Sequence, residues 1–328
     1  MVTLADVARS AGVSLATASR VFGKPAMVGP DTTAKVRNAA AALGYVANPT
    51  ARALATGSSG LLGLIVPDLS SPYFAPLISA IQTEIEGRGF ELIVSDSRGV
   101  PETEHEIVQR LQGRVDGLIL ASPRNTDSVL ISIARRLPIV TVNRELPGID
   151  SVSIDVSDGL ADLCRFLLDH GHQRIAYIGG PPGSLADDGR FQSVEAAMEA
   201  GNGTALRIGP VQPNAQAGAE TLSAIQLSNV SAVIAYNALV AHGLMLAAVS
   251  EGLNVPRDLT VTAVDDLIDI GLSLPTVTAI TQPMTEVGQK SAGIILALIS
   301  GSHEELQQRP PHQAQHLVLS ASLSVNKS

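Results

Sequence analysis

The chain reads as an α/β protein: a three-helix head of helix-turn-helix type, followed by a larger body of two doubly wound parallel-sheet units. Three observations predict this. Residues 3–22 pack two helical apolar stripes around one glycine. From Leu61 onward, short apolar strands alternate with amphipathic helices in two successive series. Charge also divides sharply between the two regions.

In the head, Leu4, Val7, Ala8 and Ala11 recur at i, i+3, i+4 and i+7, one face of a helix. Thr3 and Asp6 have the spacing of a capping box, with Asp in place of the usual Glu or Gln. Gly12 permits a tight turn, Val13 fits the angle between the helices, and Ser14 caps a second helix with Ala18, Val21 and Phe22 inward. Leu15, Ala16, Ser19 and Arg20 then face outward near its beginning, the part that enters the DNA major groove in a helix-turn-helix. Two ordinary core helices would show the same spacing, and charge separates the readings. Residues 1–58 hold six cations against two acids, +4, in a chain of net charge −9, which leaves −13 on the rest. A basic tip on an acidic body suits a protein that meets phosphate only at its tip. After a loop around Lys24, Val36, Ala39, Ala40 and Leu43 form a third stripe ending at Gly44, with Tyr45 packing back. Three helices this short bury little surface.

Residues 47–60, ANPTARALATGSSG, separate two compositions. Asn48-Pro49 can start a helix, Ala51, Ala53, Leu54 and Ala55 favour one, and Gly57 to Gly60 reads as a flexible terminator. Two turns are unstable without a partner, so a plain linker with residual helicity is the other reading.

In the body, LLGLIVP, FELIVSDS, VDGLILAS, PIVTVNR and SVSIDV alternate with helical patterns near 73–88, 101–113 and 126–136. RIAYIGG, LRIGPV, SAVIAYN and LTVTAVDD follow, with helices near 157–170, 187–200, 214–227 and 238–251. Continuous apolar strands of this kind form parallel sheets covered on both faces. Ligands bind outside the carboxyl ends of such strands, so the cleft between the two units is the expected site.

Totals bound the rest. At 328 residues, 45% hydrophobic and 16% charged, two or three globular domains are expected. The single cysteine, Cys164, sits in an apolar helical pattern as core filler. No export signal and no apolar run of about 20 residues is visible, so a soluble cytoplasmic protein is expected.

Polar or aromatic residues just past strand ends are the candidates for the cleft. They are Tyr73-Phe74, Asn143-Arg144, Arg190, Asn237, Asp265 and, in a link between the units, Gln282. Tyr73 and Phe74 can stack on a sugar face or a flat base, or pack beneath the first helix. A guanidinium after PIVTVN could grip hydroxyls or a carboxylate. Catalysis is not expected: IGGPPG at 178–183 lacks the Walker Lys-Ser/Thr and the GxGxxG spacing, His172 has no second ligand at useful spacing, and Cys164 has no base partner. No cofactor and no metal is expected.

TLADVARSAGVSLATASRVF, continuing to LGYVANPTARAL, strongly resembles the headpiece of the lactose-repressor (LacI/GalR) family of bacterial transcription regulators. The resemblance implies a headpiece over 1–46, a hinge helix and linker over 47–60, and an effector-binding and dimerisation core over 61–328 of the type I periplasmic-binding-protein kind. Its N-subdomain would hold about 61–156 and 286–318, and its C-subdomain about 158–282 and 321–328, with crossings near 156–158, 282–286 and 318–321. Leu15, Ala16 and Arg20 would read base edges, Arg20 as a bidentate donor to guanine. Thr3, Ser14, Thr17, Ser19, Thr32 and Asn48 match phosphate-contacting positions, although Ser14 and Thr17 can equally be helix caps. Leu54 matches the hinge leucine inserted between base steps in the minor groove.

By the same resemblance, Tyr73, Phe74, Asn143, Arg144, Arg190, Asn237, Asp265 and Gln282 match effector-contacting positions, with Asp68 and Asp155 as weaker matches. The chain departs from the family at Ala47, where many relatives have Pro, and at Ala238, where Asp is usual. FQSVEAAM lacks the usual glycine, and Ala263-Val264-Asp265 replaces Gly-aromatic-Asp. The expectation is a homodimeric repressor on a pseudo-palindromic operator of double-stranded DNA, controlled by a small-molecule effector. A sugar is the first choice and a purine-like co-repressor the second. A solute-binding receptor would share the core, but not the headpiece.

Overall fold

The computed structural model describes residues 2–23, 27–46, 57–266, 277–301 and 314–325. Asn48 and Leu54, the phosphate and hinge candidates of the linker, lie outside the described residues.

The head is three helices, α1 (Leu4–Ala11), α2 (Leu15–Gly23) and α3 (Pro30–Leu43). The expected capping box forms: Asp6 N–H donates to Thr3 Oγ1 at 3.4 Å and Thr3 N–H to Asp6 Oδ2 at 3.0 Å. Gly12 takes the left-handed conformation that ends α1, and Ser14 Oγ accepts from Thr17 N–H at 3.1 Å to open α2. Val7, Ala8, Ala18, Val21, Val36 and Ala40 form the buried core, closed on one side by Phe22 against Tyr45. Leu43 is a correction to the third stripe. It is exposed, because it lies in the last turn of α3 outside the small core that α1 and α2 share with this helix.

The body contains two six-stranded sheets. The first has the order β11-β5-β4-β3-β1-β2, built from β1 (Leu61–Val66), β2 (Glu91–Asp96), β3 (Gly117–Ala121), β4 (Ile139–Val142), β5 (Asp150–Asp155) and β11 (His316–Ser320). The second has the order β12-β10-β9-β8-β6-β7, from β6 (Arg174–Ile178), β7 (Thr204–Ile208), β8 (Ala232–Ala235), β9 (Thr260–Ala263), β10 (Thr278–Thr281) and β12 (Ser322–Ser324). Every pairing is parallel except β10 with β12. Central strands are buried along their whole length, as sheets covered on both faces require.

In the first lobe the covering helices are α4 (Ala75–Glu86), α5 (Pro101–Leu111), α6 (Asp127–Ala134) and α12 (Met284–Ser300). In the second they are α7 (Ser157–Asp169), α8 (Leu185–Ala200), α9 (Ala215–Glu220), α10 (Leu222–Leu227) and α11 (Ala238–Ser250). The pattern expected as one helix over 214–227 is two, broken at Thr221, whose hydroxyl donates to the Gly218 carbonyl at 2.7 Å. Gly243 has a packing reason: a Cβ there would lie 1.7 Å from the Ala215 carbonyl oxygen, so α9 and α11 touch backbone to backbone. Cys164 is fully buried in the second lobe, and desolvation pushes its thiol up to about 12, as inert core filler should be.

The chain passes between sheets three times, between β5 and α7, between β10 and α12, and between β11 and β12. At the other end of the first lobe, the Gly57-Ser58-Ser59-Gly60 segment read as a flexible terminator is anchored. Asp116, just before β3, accepts from Ser58 Oγ at 2.5 Å, Ser59 N–H at 2.8 Å and Gly60 N–H at 2.9 Å.

Candidate functional site

Strand order locates the site. In the first lobe the chain leaves β1 for β2 on one side and β3 on the other. In the second it leaves β6 for β7 and β8 in the same way. Each lobe therefore has a topological switch point, where the loops diverge and leave a crevice at the strand carboxyl ends. The two crevices face each other across one cavity of about 570 Å³. Among its lining residues are Asp68, Tyr73, Arg98, Arg124 and Asn143 of the first lobe, with Arg190, Tyr236, Asn237 and Asp265 of the second. Arg124 donates from Nη1 to the Gly183 carbonyl of the opposite lobe, so the cavity is bridged.

Tyr73 and Phe74 are held by a single 3₁₀ turn, Pro72–Phe74, and meet edge to face at 5.0 Å. They divide the roles that sequence left open: Phe74 belongs to the first-lobe core, whereas Tyr73 is only partly buried; both line the cavity. The Tyr73 hydroxyl donates to Gln282 Oε1 at 2.8 Å, and burial pushes it above the ordinary phenol range. Asn143 adopts a left-handed backbone (φ 57°) directly after β4, and its Oδ1 accepts from Ile154 N–H at 3.1 Å.

Across the cavity, Arg190 lies on α8, whose start is fixed by Asp187. That buried carboxylate accepts from Tyr177 Oη at 2.7 Å and from Gly180 N–H at 2.9 Å, and it pairs with Arg207. The IGGPPG turn serves this geometry, since a Cβ at Gly180 would lie 2.2 Å from the Tyr236 ring. The Arg190 guanidinium sits 5.3 Å from the centroid of that ring, and its Nε is buried with no hydrogen-bond partner. Asp265 Oδ1 accepts from Ala238 N–H at 2.5 Å. Burial raises its carboxyl to about 7 despite the pull of that amide and of Arg190. Asn237 caps α11, accepting from Val240 N–H at 2.9 Å and donating to the Pro213 carbonyl at 3.2 Å, and it still reaches the cavity wall.

Three candidates lie outside the cavity wall. Arg144 does not line the cavity: its Nη1 donates to the Pro123 and Asn125 carbonyls at 3.0 and 2.5 Å, and its Nη2 to Asp127 at 2.5 Å. It braces the loop after β3 from behind. Gln282 stands outside the lining, with Nε2 on the Val264 carbonyl at 2.8 Å and Oε1 under Tyr73, so it positions the tyrosine. Asp155 is exposed and accepts from Ser157 N–H at 2.8 Å at the turn into α7, which holds its carboxyl below the usual range. Asp68 does line the cavity, with Oδ1 accepting from Ser70.

Arg98, Arg124 and Tyr236 line the cavity without having been singled out from sequence. Tyr236 precedes Asn237 at the end of SAVIAYN. Arg98 and Arg124 follow β2 and β3 by two and three residues, so the strand-end rule, extended slightly, reaches all three.

On the head, Thr3, Ser14, Leu15, Ala16 and Arg20 are exposed, while Thr17, Ser19 and Thr32 are half-buried. Leu15 is 53% exposed although it opens an otherwise well-packed helix. His172 is accounted for by structure: its ring nitrogens meet Ser231 Oγ at 2.8 Å and Thr260 Oγ1 at 3.1 Å. No helix among the described residues is long and apolar enough to cross a membrane.

A helix-turn-helix head joined to a two-lobed receptor with its cavity at both switch points defines the class: DNA-binding regulators governed by a small molecule. Comparison with known proteins agrees. Residues 3–48 match the model described as bacterial regulatory proteins, lacI family. Residues 59–316 match the one described as periplasmic binding proteins and sugar binding domain of LacI family. The chain is 32% identical over 311 residues to the HTH-type transcriptional regulator GalS of Salmonella typhimurium, covering 92% of this chain and 91% of that protein. It is 31% identical over 303 residues to the ribose operon repressor of Bacillus subtilis, covering 91% and 92%. A structure of the lac repressor dimer bound to operator and the anti-inducer ONPF superposes with a TM-score of 0.82 at 27% identity, covering 99% and 98%. The chain belongs to the LacI family, DNA-binding transcriptional regulators with an effector-binding domain.

Proposed function

We propose that this protein is a repressor that binds a pseudo-palindromic operator as a homodimer, with its affinity set by a sugar or sugar derivative in the interlobe cavity. The observation that carries the reading is the cavity itself. Its volume of about 570 Å³ is in the range of small-molecule sites, and both lobes contribute to its wall. Tyr73 and Tyr236 offer apolar ring faces, while Arg190 and the free oxygen of Asp265 offer a donor and an acceptor for paired hydroxyls.

A ligand touching both walls binds one interlobe angle better than another, and so shifts the population between them. The lac repressor relative is bound to its operator as a dimer, and the ribose operon repressor is named for a sugar operon. On the DNA side, Arg20, Leu15 and Ala16 are the base-reading residues. Thr3, Ser14, Thr17, Ser19, Thr32 and Asn48 hold phosphate, and Leu54 enters the minor groove.

The test is a fluorescence-anisotropy titration of genomic fragments at several salt concentrations. A steep fall of affinity with salt is expected, and Arg20→Ala is expected to cost about 1–3 kcal/mol at one base position and relax the preference there. Binding that ignores both salt and Arg20 would remove the headpiece from DNA recognition.

A further inference from the structure

Three arginines line the cavity, and none has a carboxylate partner within ion-pair distance among the described residues. Two of the three, Arg98 and Arg124, follow β2 and β3, the strands on either side of β1, and so flank the first-lobe switch point. The Arg98 side chain is exposed and makes no hydrogen bond among the described residues. Its backbone N–H alone is fixed, at 2.7 Å on Asp96 Oδ1.

Arg98 also occupies a left-handed backbone conformation (φ 55°), which costs any residue with a Cβ, and Gly99 beside it shows what such a bend favours (φ 64°). Turn geometry alone would select glycine at 98, so the cationic side chain is retained against a local conformational penalty. The Arg124 loop is rigid. Glu104, buried on α5, accepts from Arg124 N–H at 2.9 Å and Asn125 N–H at 3.2 Å, and Arg144 clamps the same loop from behind. The facing acids do not pair with these arginines: Asp68 and Asp96 turn their carboxylates to backbone N–H groups and lie outside ion-pair distance, and Asp265, with its carboxyl near 7, carries only part of a charge at neutral pH.

Resting on the carbohydrate reading above, we propose that the effector is an anionic sugar, with a phosphate or carboxylate group held by Arg98 and Arg124 and its hydroxyl-bearing ring on the Arg190–Asp265 side. A forked guanidinium matches either oxyanion.

The test is calorimetric titration of the full-length protein with neutral hexoses and pentoses, their terminal phosphates, and the corresponding uronates and aldonates. At least one anionic compound is expected to bind tighter than its neutral parent by about tenfold or more, and the phosphate and carboxylate arms identify the oxyanion. Arg98→Gly is expected to erase that preference with the melting temperature unchanged or raised. An Arg124→Leu variant should also weaken the charged ligand selectively. Equal binding of charged and neutral members, or loss of both with a lowered melting temperature in Arg98→Gly, overturns the anionic assignment and leaves the sugar reading standing. If no compound binds, the carbohydrate reading falls with it.

Discussion

Replacing Asp265 by Asn isolates the most perturbed acid of the cavity. In the folded protein its carboxyl titrates near 7, against 3.8 for an ordinary Asp, because burial outweighs the Ala238 amide and the Arg190 charge, while Asp266 adds to the rise. A raised folded-state value means that both states are protonated well below pH 3.8, and no stability difference arises there. As pH climbs, the unfolded chain ionises first, and folding stability falls until the folded carboxyl also ionises near pH 7. At about 1.4 kcal/mol per pH unit, Asp265 alone removes about 2 kcal/mol of stability between roughly pH 5.5 and 8.

Urea unfolding of wild type and Asp265→Asn at both pH values gives the difference of differences, in which every other titrating group cancels. The variant's pH slope should be flatter by about 2 kcal/mol across that interval. Effector affinity should rise with pH in the wild type if hydroxyls donate to the ionised carboxylate, and fall by roughly 10- to 100-fold in the variant. Identical slopes in the two proteins would show that the carboxyl is not perturbed and would undo the argument for its role.

Two further outcomes can be measured. Gly243→Ala forces a methyl group against the Ala215 carbonyl and is expected to cost roughly 1–3 kcal/mol in denaturant unfolding. Gly293→Ala, in open space on α12, should be neutral or stabilising by up to about 1 kcal/mol. Asp116→Ala should leave effector binding intact but shrink the effector-dependent change in operator affinity, by about 1 kcal/mol of coupling in paired anisotropy titrations. It releases Ser58, Ser59 and Gly60 at one end of β3, while the other end of that strand leads to the cavity roughly 20 Å away.

The elements whose cause is local were legible in the sequence. Thr3 with Asp6, Gly12 and Ser14 specify caps and a turn through neighbours three residues away, and short uninterrupted runs such as GLILA and AVIA, bounded by turn residues, fit buried strands. Strand ends also led to most of the cavity. What they could not give was direction. Asn143 and Arg144 are adjacent, yet the first lines the cavity while the second turns to carbonyls supplied by the loop after a different strand. Gln282 is likewise set by Tyr73, 209 residues away. Arg98 and Arg124 were overlooked because they lie two or three residues beyond their strands. Left-handed turns at Arg98 and at Ser122 shape those loops, and no periodicity announces them. Thr221 and Leu43 mark the same limit for helices, since an apolar stripe says which face is sticky and not how far its neighbour extends.

The passage of the chain between the sheets bears on biosynthesis. The first lobe is begun by residues 61–155, but its core includes Met284, Val287, Ile295 and Leu296 of α12, and its edge is completed by β11 at 316–320. A nascent chain therefore exposes the apolar face of its opening sheet until residues 284–320 have been made, whereas the head needs only the first 46 residues to close its own core. Premature termination between about residues 46 and 316 would release a product with a finished head and an unfinished receptor.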